Sequence, residues 1–167
     1  MPADGYVIVH PNREKASSKA TKAAVVLLLL VSALVLVLIT VGGWAALEGA
    51  KALQVAYIAL YVLIALLVAR WKRGVLPVAS ALAIVLLIFA AVSAPRWFDR
   101  DRAGFTDPAL DAGLLGLLTV VLIALQALVI LFGMRGFLQA WHVEVERAVE
   151  NRGRAYHDWR SARVAER

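Results

Sequence analysis

The stretch "AAVVLLLLVSALVLVLITVGGWAAL", residues 23–47, contains no Asp, Glu, Lys, Arg or His. It covers the ~17–25 residues that a helix needs to cross a hydrocarbon core. Three further runs, at about 52–69, 75–94 and 112–134, are equally free of charge. Backbone groups in lipid find no water to bond, so each run must satisfy them internally as a helix. The first run is too long for the ~7–15-residue core of a signal peptide, and no small-residue cleavage pattern follows Gly42, so it is expected to stay as a span. The expected fold is all-α: a polytopic membrane protein built as an antiparallel four-helix transmembrane bundle, with helix 4 extended into the cytoplasm.

Composition agrees. The 167 residues are 62% hydrophobic, with a mean hydropathy of +0.75, against ~45–50% apolar for a soluble domain. There is no cysteine, which excludes disulfides and thiolate chemistry. The expected organisation is a cytoplasmic segment over 1–22, a transmembrane domain over 23–137 and a cytoplasmic amphipathic tail over 138–167.

Lys and Arg set the expected orientation. Fourteen fall in the N-terminal segment, the turn between the second and third runs, and the tail; four fall on the opposite side. Positive residues stay inside, so both termini are expected in the cytoplasm of a multi-pass cell (inner) membrane protein. The same asymmetry accounts for most of the net charge of +6. A nucleic-acid partner would need a folded basic module, and none is legible. Trp71 and Trp141 are expected at the inner interface, Trp44 and Trp97 at the outer one, as an aromatic belt. The dominance of Arg over Lys, with Ala, Val and Leu abundant, points to a bacterium with GC-rich coding.

Local signals mark the connections. "GYVIVHPN" near the start is expected to dock as a short strand or stay loose. Gly74 suits the end of the second helix and Pro77 the first turn of the third. In the loop "APRWFDRDRAGFTDPALDAG", Asp99, Asp101 and Gly104 match the opening of a calcium loop. The pattern then fails, because Ala103 and Leu110 stand where ligands are required. Asp107 reads instead as a helix N-cap with Pro108 at the first helical position, and Asp111 as favouring the positive helix end.

Chemistry inside the membrane is limited to uncharged groups. With no intramembrane charge or histidine, an ion-coupled carrier, a proton channel and a haem anchor are not expected. Gln54, Tyr57 and Tyr61 share a face of the second span. Ala112, Thr119, Gln126 and Gly133 recur every seven residues on the fourth, with Gly116 beside them, while Leu122 lies off that stripe. The plain reading is a packing seam, where small residues admit close approach and Gln supplies an interhelical bond. The sharper reading is a polar slot for a lipid headgroup or small solute, lined by Gln54, Tyr57, Tyr61 and Gln126.

Past Arg135, Leu138, Trp141, Val145 and Ala148 fall at i, i+3, i+7 and i+10. This predicts a helix that continues past the membrane with one apolar face. That face would be buried on another protein, on the chain's own N-terminal segment, or at the headgroups. His142 and Glu146 at i, i+4 are two metal ligands without a third, so a solvated pair is expected. No residues take up the roles of an enzyme site, and no catalytic group, metal or cofactor is expected. The expected function is a non-enzymatic accessory or scaffold subunit of a membrane complex, meeting a membrane-protein partner or a second copy through the tail. The alternative is a small-solute or lipid transporter acting as an oligomer.

Overall fold

In the computed structural model, which describes residues 6–100 and 108–148, the chain is mostly helical. Its elements run β1 (Tyr6–Val9), α1 (Pro11–Glu14), α2 (Ala16–Gly42), α3 (Lys51–Ala69), α4 (Leu76–Phe98), α5 (Ala112–Leu138) and β2 (Val145–Ala148). Four segments, Ala16–Gly42, Glu48–Ala69, Arg73–Phe98 and Ala112–Leu138, are long and apolar enough to cross a membrane. They fit a multi-pass membrane protein. Leu27, Leu34, Leu66, Ile88 and Leu131 point outward, an arrangement that exposes large apolar surface to water but matches lipid as solvent. Contacts divide the chain into two compact units, Asn12–His142 and the terminal segments Met1–Pro11 with Val143–Arg167.

Within the helical unit, α4 packs most extensively on α5, then α2 on α3 and α2 on α5; α3 and α4 touch at only a few positions. The buried residues of α5 include Leu115, Thr119, Leu122, Gln126, Val129, Gly133 and Gly136. Their steps of four and three are those of a two-position heptad seam. The expected stripe through Thr119, Gln126 and Gly133 is one half of it. Leu122 belongs to the other half and is buried, which corrects its placement off the seam. Small residues bring α4 and α5 together. A Cβ at Gly133 would collide with the Ser80 hydroxyl, and one at Gly116 would lie 2.7 Å from the Phe98 ring.

The helix ends depart from expectation. The second span stops at Trp71, not Gly74. Lys72 N–H donates to Leu67 O at 3.0 Å and Trp71 N–H to Val68 O at 2.9 Å, with Trp71 left-handed at φ 62°. This is a Schellman turn with tryptophan in the position that usually takes glycine. Pro77 lies in the first turn of α4, as expected. The N-cap of α5 is Asp111, whose side chain accepts from Leu114 N–H at 2.9 Å. Pro108 precedes the helix and is not its first residue. Asp101, Gly104 and Asp107 of the loop, and Glu150, Arg154, Tyr156, His157 and Trp159 of the tail, lie outside the described residues.

The largest correction concerns the expected extension of the fourth helix. α5 ends at Leu138, and Ala140 turns the backbone left-handed at φ 49°. Val145–Ala148 then form β2, paired antiparallel with β1 in the register Tyr6↔Ala148 to Val9↔Val145. His10 Nε2 and Glu144 Oε1, 3.3 Å apart, continue that pairing by one position. The apolar face predicted from Leu138, Trp141, Val145 and Ala148 therefore does not exist as a helix face. Period counting placed the apolar residues on one stripe, but strand pairing with the N-terminal segment overrides it. His142 and Glu146 likewise are not on a common helix.

Candidate functional site

The polar residues of the spans separate into a closed cluster and an open pocket. Ser32, Tyr61 and Gln126 sit near the midpoints of α2, α3 and α5. The Tyr61 hydroxyl donates to Gln126 Oε1 at 2.6 Å, and Gln126 Nε2 donates to Ser32 Oγ at 3.2 Å. All three are fully buried. An amide with its hydrogen-bonding capacity engaged in lipid is a fastener between helices, and it leaves no room for a solute. Tyr61 and Gln126 therefore belong to the seam. Gly116, under the Phe98 ring, belongs there too.

Gln54, Tyr57 and Thr119 line a half-open cavity of about 340 Å³. That is the lower end of the ~300–1,000 Å³ typical of ligand pockets. It lies at the end of the helices where α2 passes into α3 through two 3-10 turns, Trp44–Ala46 and Glu48–Ala50. The cavity is the gap that α3 and α4 leave by barely touching. Its floor is apolar, with Leu36, Leu86, Ala90 and Leu122; Leu53, Phe89 and Val92, which also line it, are exposed on the outer surface. Part of its wall is therefore apolar side chains on the outer surface of the helices.

Most polar groups around the cavity already have partners. Thr119 Oγ1 donates to Leu115 O at 2.8 Å, and Ser93 Oγ to Ala90 O at 3.2 Å. Thr40 Oγ1 lies 2.6 Å from Leu36 O and 2.5 Å from Gln54 Oε1. One hydroxyl carries one proton, so Thr40 donates to the carbonyl and the Gln54 amide turns its NH₂ toward Thr40. Arg100 Nη2 donates to Ala46 O at 3.2 Å, and its guanidinium stands 5.1 Å from the centre of the Trp97 ring. The Tyr57 hydroxyl and the Arg96 guanidinium line the cavity without a hydrogen-bond partner among the described residues.

Arg96, Trp97 and Arg100 were not legible as site residues. Sequence reasoning assigned the arginines no site role and Trp97 only a place at the outer interface; Trp97 is buried, against Gly43 and the cavity. The i, i+4 spacing of the two arginines at the end of an uncharged span was the available signal.

At the opposite end the helices are sealed by Trp141, which has no exposed surface. Its ring meets Trp71 edge-on at 5.1 Å, and its Nε1 donates to Gln139 Oε1 at 3.0 Å. Lys22 stands 4.2 Å from the Trp71 ring centre. Arg73 donates to Phe137 O at 2.8 Å and to His142 Nδ1 at 2.8 Å, so that imidazole nitrogen is the acceptor. Trp141 is thus not part of a free tail face. Among the described residues no group of three or more His, Asp or Glu is placed to hold a metal. No family model, curated protein or solved structure matches the chain.

Proposed function

We propose that the chain is an antiparallel four-helix transmembrane bundle with both termini in the cytoplasm of a bacterial cell membrane. In this reading it is not an enzyme, and it holds one membrane-derived amphiphile in the cavity between α3 and α4. The observation that carries the reading is the cavity itself: an apolar floor continuous with lipid-facing Leu53, Phe89 and Val92, with polar groups gathered at one end. Water does not fill an apolar space of this size favourably, whereas an acyl chain does. This favours lipid handling over the transport of a polar solute, because no charged group lies along the spans between their ends.

Two experiments test it. A reporter active only outside the membrane should be silent when fused at Arg167 and active near Gly104; the reverse result inverts the topology. Native mass spectrometry of the full chain, titrated with a phospholipid, should show one tightly retained adduct. Ala90 lies on the cavity floor and is buried. Ala90→Phe should fill the space and remove that adduct without loss of membrane insertion. An adduct unchanged by Ala90→Phe removes the reading.

A scaffold role keeps one specific support. β1 and β2 form a two-stranded sheet with Ile8 and Val145 exposed, and the outer edge of such a sheet can accept a strand from a partner. Crosslinking from position 8 to a second polypeptide in intact membranes would favour it, and its absence would remove it.

A further inference from the structure

We infer that the occupant of the cavity is a net-anionic phospholipid, with its phosphate at Arg96 and Tyr57 and its acyl chain between α3 and α4. The inference rests on the lipid-holding role proposed above and adds the chemistry of the headgroup. Arg96 in the last turn of α4 and Arg100 in the turn that follows both line the cavity, while no carboxylate does among the described residues. The loop end as a whole is not cationic: Glu48, Asp99 and Asp111 are also there. The positive charge is specific to the cavity.

The groups with donors to spare also point to an anion. The Ser93 and Thr119 hydroxyls are engaged with helix carbonyls, whereas the Tyr57 hydroxyl and the Arg96 guanidinium have no hydrogen-bond partner among the described residues. Guanidinium forks bind phosphate oxygens in pairs, and a phenol adds a third donor. A zwitterionic headgroup would also need a place for its ammonium. The Trp97 ring is already faced by Arg100, and no described carboxylate lines the cavity. The exposed apolar wall of Leu53, Phe89 and Val92 favours the bilayer over the aqueous phase as the source.

The test titrates the full chain in detergent with phosphatidylglycerol or phosphatidylcholine of the same acyl length and counts adducts by native mass spectrometry. The unmodified chain should prefer phosphatidylglycerol by about tenfold, the scale of one charge-assisted contact. Arg96→Gln should bring phosphatidylglycerol down to the phosphatidylcholine level and leave phosphatidylcholine unchanged. Arg96→Lys should keep most of the preference. Equal binding of the two lipids by the unmodified chain overturns the inference, as does a preference that survives Arg96→Gln; either result leaves the lipid-holding role standing. If neither lipid binds, or if Ala90→Phe removes neither, the lipid-holding role itself fails.

Discussion

The two ends of the helical unit use the same residue type to opposite effect. At one end Trp141 is fully enclosed by Trp71 and by the close approach that Gly136 allows, where a Cβ would stand 3.2 Å from its ring. At the other end Trp97 is as well buried but borders a cavity of about 340 Å³. The difference lies in the backbone. The sealed end has a tight connection from α3 to α4 and a segment, Gln139–His142, that folds back under the helices. The open end has no comparable contact between α3 and α4. The bundle is therefore closely packed at one end and open at the other without any charged residue in between.

The greatest loss is expected from Trp141→Ala. It empties the sealed end, and an aromatic truncation in a packed core costs ~3–5 kcal/mol. Thermal unfolding in detergent should show the largest drop of any single variant; a melting temperature near the unmodified value would mean the ends do not differ in tightness. Gly133→Leu comes next, since its side chain would be driven into Ser80. Overpacking of this kind costs ~1–3 kcal/mol, and Gly133→Ala should cost less. Gln126→Leu removes two bonds at the centre. At ~0.6 kcal/mol on average for an interhelical bond in lipid, the drop should be small but measurable. No drop would show that Tyr61 and Ser32 find other partners. Arg96→Gln should have the smallest effect on stability, within ~0.5 kcal/mol for an exposed side chain. Its signature should appear in lipid binding alone.

The four spans were legible because length and the absence of charge suffice to identify them. Half of the α5 seam was legible too, through Gly116, Thr119, Gln126 and Gly133. The other half was not, because Leu115, Leu122 and Val129 look the same whether they face a helix or lipid. In a helix apolar all round, only small and polar residues reveal the buried side. The end of α5 was missed for a different reason. The break falls at Ala140, a residue with no preference for left-handed backbone, and is held by tertiary bonds from Asn12 Nδ2 to Ala140 O at 3.1 Å and Arg13 Nε to Trp141 O at 2.9 Å. Gln54 and Tyr57 were identified as slot residues by type, and Thr119 as part of the seam. The cavity that unites them with Arg96 depends on how α3 and α4 diverge, which no local pattern encodes.

The bonds from Asn12 and Arg13 to Ala140 and Trp141 also have a consequence for biosynthesis. At ~5–20 residues per second, Trp141 is made roughly 6–25 s after Arg13. Until then the Trp71 ring, over which Lys22 stands, lacks the Trp141 ring that packs on it. The first long helix to be made is thus among the last to be locked, because its N-terminal end is held by residues that follow α5.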